Sequence, residues 1–181
     1  MHEEIRHAAT LWATDDGRVS RLIPLPSAEA RTARIPAARF LTYGLRLAAA
    51  TGLGIDAFVH ATSAGQYDSP VGGFITAGNL FRAEAVVGIL LAVLLLIRPT
   101  RLTWLAVLVV AASALGAVVL YRYVDVGPIG PLPDLYEPTW QVPGKLATAY
   151  AEGGSLVLSA LALWRSHMAS SAPARFFGRR G

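Results

Sequence analysis

The sequence predicts an all-α fold, an integral membrane four-helix bundle with both termini cytoplasmic. Three observations carry that expectation. The chain of 181 residues is 54% hydrophobic, with a mean hydropathy of +0.45. Its apolar residues are bunched: Leu102–Tyr121 is twenty residues without a charge, long enough at ~1.5 Å per residue to cross a hydrocarbon layer of roughly 30 Å. A soluble helix of that length would place charges at amphipathic spacing. Finally, the basic residues gather at the two chain ends and the middle link, which four spans place on one side of a membrane, as the positive-inside rule requires.

Taken in order, residues 1–38 form a polar, basic cytoplasmic tail with Pro24, Pro26 and Pro36, and no apolar run there is long enough for a leader core. A short helix near its start and some affinity for anionic headgroups are compatible with that composition. The four-span domain covers 39–165. Its first segment is Phe40–Ser63, carrying Arg46, Asp56 and His60; the second is Phe74–Ile97, with Arg82 and Glu84 in its first half. The third is Leu102–Tyr121. Pro99, flanked by Arg98 and Arg101, marks a tight link before it. The fourth is Leu146–Trp164, with Glu152 two turns in, and a basic cytoplasmic tail fills 166–181, where Phe176 and Phe177 suit an interfacial anchor.

Orientation follows from charge. The N-terminal tail and the boundary of the first span hold Arg6, Arg18, Arg21, Arg31, Arg34 and Arg39; the middle link holds Arg98 and Arg101; the boundary of the last span and the C-terminal tail hold Arg165, Arg175, Arg179 and Arg180. Twelve of the sixteen basic residues thus lie on one side, which makes it the cytoplasmic side. The segment SAGQYDSPVGG and the Pro-rich loop 122–144 then face out of the cell. Lipid is the first partner, and another membrane protein or a second copy of the chain is a further one. Nucleic acid is not expected: Arg outnumbers Lys fifteen to one, but no concentrated basic face on a soluble domain accompanies the bias.

Composition and motif also exclude chemistry. There is no cysteine, hence no disulfide, thiolate metal site, iron–sulfur cluster or thiol nucleophile. Bis-histidine haem would need a second histidine inside the membrane, and His2, His7 and His167 lie in the tails. A retinal Schiff base would need a mid-membrane Lys, whereas Lys145 sits at a helix mouth. No Gly-rich phosphate loop with a Lys and no paired-histidine zinc-protease motif appears. Ser113 and Ser159 have no base at a suggestive spacing.

Ionisable residues inside apolar segments cost several kcal/mol and are therefore informative. Counted from the cytoplasmic end at ~1.5 Å per residue, Asp56 lies about 24 Å up, Glu84 about 20 Å and Glu152 about 18 Å. His60 stands one turn above Asp56. Three acids from three segments thus share one layer in the outer half. Helical phase turns them inward: Asp56 and His60 share a face with Gly52 and Ala49, Glu84 with Gly88, and Glu152 with Thr148, Ser155 and Ser159. Arg82 points nearly opposite to Glu84, toward headgroups or a neighbouring helix, and Arg46 reaches inward to the cytoplasmic boundary. Three readings compete. The acids act as polar glue, paired with Arg82, Arg122, Lys145 or His60; or they form an outward-opening site for a proton or small polar ligand; or Asp56, His60, Glu84 and Glu152 ligate a divalent metal, as carboxylate–histidine sets do in helical bundles. A di-iron site would need Glu-x-x-His pairs on two helices, which this chain lacks.

The loop DVGPIGPLPDLYEPTW (125–140) is stiffened by Pro128, Pro131, Pro133 and Pro138. Tyr121, Tyr123, Tyr136 and Trp140 suit an interfacial aromatic belt, as do Tyr67 and Phe81. The loop reads as a cap over the helix ends, as a lid that delivers Asp134 or Glu137 to the acid layer, or as a docking face. Asp134 and Glu137 are accordingly candidate ligand-binding residues beside Asp56, His60, Glu84 and Glu152.

The pattern D-x-x-x-H ending the first segment, then YD, G-x-L-F-R-x-E-A, GPIGPLPDLYEPTW and A-x-A-E-G-G resembles a group of small four-helix membrane proteins from actinobacteria. It covers residues 40–165 and leaves out both tails. In architecture it is also similar to the DoxX-like four-helix proteins. The resemblance implies a four-span fold in the bacterial plasma membrane and carries over no catalytic or binding residue. The expected function is a non-enzymatic accessory or interaction component of that membrane, with an outward-facing binding or transport site for a cation, proton or small polar ligand as the alternative. A metal-dependent membrane enzyme ranks third.

Overall fold

The apolar segments become helices in a computed structural model of the chain. The described residues run from 34 to 171, and the unit that begins at Ala38 holds the packed helices. They are α1 (Arg34–Ser63), α2 (Ala77–Ile97), α3 (Arg101–Tyr123) and α4 (Lys145–Ser171), with a 3₁₀ turn, Ala64–Tyr67, continuing α1. Three of them, α2, α3 and α4, are long and apolar enough to cross a membrane. The tail helix and the Phe176–Phe177 anchor lie outside the described residues.

Each boundary has a local cause. Thr76 and Thr100 sit in extended conformation ahead of α2 and α3, and their hydroxyls accept from the backbone N–H of Asn79 and Thr103 at 3.1 Å. Such N-caps contribute about 1 kcal/mol each. The cap at Thr76 explains why helix begins at Ala77 rather than at Phe74, where the apolar run starts. Pro99 ends α2, and the Arg98 N–H closes the last turn onto the Leu94 carbonyl at 2.7 Å. At the same end, arginines donate to carbonyls of neighbouring helices. Arg46 Nε donates to the Leu95 carbonyl at 3.2 Å, and its Nη2 donates to that of Leu96. Arg101 donates to the Ser166 carbonyl at 2.9 Å and to the Ser170 hydroxyl. A cation is favoured at a helix C-terminus, so Arg46 is paired within the fold, and α4 continues past Trp164 to Ser171.

The helices meet in one core cluster: Leu45, Ala49, Ala50 and Leu53 of α1, Ala92 and Leu95 of α2, and Trp104 and Val107 of α3, with Leu158, Ala162 and Leu163 of α4 packed against them. The residue sizes are inverted relative to a water-soluble core. Much of what is buried is small, as with Ala49, Ala57, Ala85, Ala111, Ser155 and Ser159, whereas Phe58, Leu90, Ile97, Leu102 and Val157 are more than half exposed. Small residues allow backbones to approach closely. Gly52 shows how closely: a Cβ there would lie 2.5 Å from Ser155 Oγ and 3.1 Å from the Ala151 carbonyl oxygen, so α1 and α4 touch backbone to backbone.

At the other end, the Pro-rich loop is strapped down. Ile75 N donates to Pro131 O at 3.1 Å, Asp134 N to Val71 O at 2.8 Å, and Glu137 N to Tyr121 O at 3.0 Å. A tight turn from Ile129 to Leu132 closes with a 3.0 Å bond. The loop therefore lies across the α1–α2 connection and the end of α3 as a fixed cap, with its prolines where no donor is needed.

Candidate functional site

Asp56 and His60 occupy successive turns of α1, and both are buried. Glu84 enters from α2 and Glu152 from α4, and one ligand atom from each of the four residues falls in a group whose members all lie within 4.8 Å of one another. The structure thus brings together the acids and the histidine whose cost inside an apolar segment singled them out. The helical phases agree as well: Ala49, Thr148, Ser155 and Ser159 are buried on the inferred faces.

His60 is held from two sides. Its Nδ1 donates to the Asp56 backbone carbonyl at 3.0 Å and lies 3.2 Å from Asp56 Oδ1. Its Nε2 lies 3.4 Å from Glu84 Oε2. The ring packs edge-on against Phe81 at 4.9 Å between centroids, and Phe81 packs in turn against Tyr67 at the same distance. Glu152 is 3% exposed, and neither of its carboxylate oxygens has a hydrogen-bond partner. A buried carboxylate in that state costs roughly 3 kcal/mol or more unless something supplies the missing charge or donor.

Apart from His60, the cations expected to pair with the acids are engaged elsewhere. Arg82 makes a two-pronged bond to Asp68, at 2.6 and 2.7 Å, in the connection after the 3₁₀ turn, and its Nη1 donates to Asn79 Oδ1 at 3.1 Å. That guanidinium, hydrogen-bonded to Asp68, holds the Asp68 carboxyl below the usual carboxylate range. Lys145 Nζ donates to the Glu137 carbonyl at 2.7 Å, approaches Glu137 Oε2 at 3.4 Å and stands over the Trp140 ring. Arg122 lies over Tyr123 and Trp140. Of the expected ion-pair partners, only His60 reaches the cluster.

Above the cluster is a cavity of about 320 Å³, within the size range of small-ligand sites. His60, Glu84, Glu152 and Thr148 line it from the helices, and Asp134 and Glu137 from the loop. The two loop acids do not join the lower four. Asp134 Oδ1 accepts from its own Tyr136 N–H at 2.9 Å, and Glu137 Oε1 accepts from the Tyr67 hydroxyl at 2.9 Å. Burial, together with the hydrogen bond to Glu137 and its negative charge, pushes the Tyr67 phenol up to about 12. Tyr67, Phe81 and Lys145 are the site residues that sequence reasoning placed elsewhere, the first two in an interfacial belt and the third among the cluster's possible partners. No family model matches the chain, and no curated protein or solved structure matches it.

Glu84, Glu152 and His60 converge at the floor of a part-polar cavity, with Asp56 beside His60, and the Glu152 oxygens and Asp56 Oδ1 lack a donor. This arrangement is suited to holding a cation. Ser113 and Ser159 donate to helical carbonyls one turn back.

Proposed function

We propose that this chain is a four-span protein of the bacterial plasma membrane, both termini cytoplasmic, whose outward-facing cavity binds a small cation at Asp56, His60, Glu84 and Glu152. Three helices of spanning length and the outward display of large apolar side chains support membrane insertion. The first helix, α1, is less apolar. Its crossing is supported by its place in the same core and by Arg46, whose guanidinium is satisfied by carbonyls of α2. Orientation rests on the arginine asymmetry, and the likeness to small actinobacterial four-helix proteins belongs to the same reading.

One observation carries the binding function: Glu152 is buried, unpartnered and set beside two further carboxylates with a single imidazole among them. Cation binding supplies the missing charge and is linked to stability by mass action. Thermal unfolding of purified protein against a panel of alkali, organic ammonium and divalent cations tests this. At least one class should raise the midpoint in wild type and fail to do so in Glu152→Gln; a panel without effect would overturn the reading.

A second reading, an accessory component that docks a partner, is supported by the fixed cap, which exposes Val126 and Ile129. A stoichiometric partner that co-purifies with wild type and with Glu152→Gln alike would favour it.

A further inference from the structure

We propose that the floor of the cavity is a site for one divalent transition-metal ion of the Zn2+ type, held by His60 Nε2 and by one carboxylate oxygen each from Asp56, Glu84 and Glu152. The proposal rests on the cation-site reading above and names its occupant.

The tautomer of His60 is fixed by geometry. A ring nitrogen 3.0 Å from a backbone carbonyl carries the proton, because the carbonyl only accepts. Nδ1 therefore carries a proton, and a metal ion would bind the ring in its neutral form, whose lone pair is on Nε2, beside Glu84. Metal-bound histidines commonly make this arrangement, one nitrogen donating to a carbonyl while the other ligates. Phe81 at 4.9 Å holds the ring plane.

Nε2 lies 3.4 Å from Glu84 Oε2, and in the neutral ring both atoms offer lone pairs to an ion between them. Two ligands bonded to one tetrahedral ion at about 2.0–2.1 Å lie about 3.4 Å apart. The observed gap is thus the edge such an ion would span. One ligand atom from each of the four residues lies within 4.8 Å of the others, and the torsions of the long Glu84 and Glu152 side chains are the means of closing the longer separations. Glu152 supplies the independent sign of a ligand: it is 3% exposed, neither of its oxygens has a partner, and one of them falls in the group.

The donor set selects among ions. Ca2+ takes six to eight oxygens and Mg2+ an octahedron rich in water, and neither favours imidazole. Zn2+ accepts His nitrogen and carboxylate oxygen together in four-coordination. An alkali ion gains little from the imidazole and cannot offset three carboxylates.

The experiment uses the full-length protein in detergent, stripped with a chelator and loaded with Zn2+, Mg2+ or Ca2+ alone, with bound metal counted after gel filtration. One Zn2+ per chain, a raised thermal midpoint and no retained Mg2+ or Ca2+ are expected, and His60→Gln and Glu152→Gln should each lose the ion. Wild type loaded with Co2+ should show the intense visible bands of a tetrahedral ion, a readout that decides the matter where a variant does not fold. Zn2+ well below one per chain in wild type, full retention by His60→Gln, or the weak bands of an octahedral Co2+ ion would each overturn the proposal. If ammonium or alkali cations stabilise the protein through Glu152 while Zn2+ does not, the metal assignment fails and the cation site stands. If no cation stabilises it, both fail.

Discussion

Glu152 and Glu84 are acids at similar depth, yet their surroundings differ. Glu84 has an imidazole 3.4 Å away and is half-buried, whereas Glu152 is buried with no donor at either oxygen. In chelator-treated protein, Glu152→Gln should therefore raise thermal stability by about 1 kcal/mol, since the amide offers the neighbouring carboxylates an N–H donor. A fall in the unfolding midpoint would show that the acid is already satisfied. Tyr67 makes the opposite case. Tyr67→Phe removes the donor to Glu137 and should cost about 1–2 kcal/mol, measured by thermal unfolding. Because its folded pKa of about 12 lies above the ordinary phenol value, the neutral form is the one the fold favours. That contribution is complete below pH ~10 and is lost as pH rises through the folded value. The wild-type advantage over Tyr67→Phe should accordingly shrink in alkali and stay flat between pH 6 and 9. The four cluster residues were legible in the sequence because a charge in an apolar run is costly and rarely incidental. The Tyr67–Glu137–Lys145 set was not, because those contacts depend on the path of the Pro-rich loop, which no periodicity encodes.

The helices themselves were readable because their ends coincide with chemistry that stops or starts them. Pro99 closes α2 and the Thr100 hydroxyl opens α3. The first turn expected for α2 was lost because Ile75 spends its N–H on the Pro131 carbonyl and Thr76 acts as a cap. At the base of α2, Gly78 lies against the carbonyls of Ala64 and Tyr67 and the carboxylate of Asp68, and a Cβ there has no room. Gly78→Val should therefore push α2 away from the 3₁₀ turn, with a loss of about 2–3 kcal/mol and weakened cation stabilisation, because Glu84 rides on the same helix. Thermal unfolding with and without the stabilising cation reads both effects. By contrast, Gly116→Ala, at a position with open space around it, should be neutral or slightly stabilising through helix propensity.

For the molecule as a whole, the arginines and the acids divide the labour. Arg46 and Arg101 serve helix carbonyls at one end, while the ionisable cluster and its cap sit at the other. This polarity matches the charge asymmetry from which the topology was inferred. Because the chain has no cysteine, single replacements report on it directly. Cys at Ser69 or Thr139 should react with a membrane-impermeant thiol reagent in intact cells, and Cys at Thr100 only after the membrane is opened. The reverse pattern would invert the orientation and turn the cavity toward the cytoplasm.

The straps on the Pro-rich loop bear on time as well as shape. Three backbone hydrogen bonds join it to two different segments, so lifting it requires them to break together, an infrequent event of the local-unfolding kind. An occupant of the cavity would come and go through the gaps between side chains far more often than by way of a raised roof. Such a site favours long residence over rapid throughput, a kinetic character closer to that of a keeper than of a conduit.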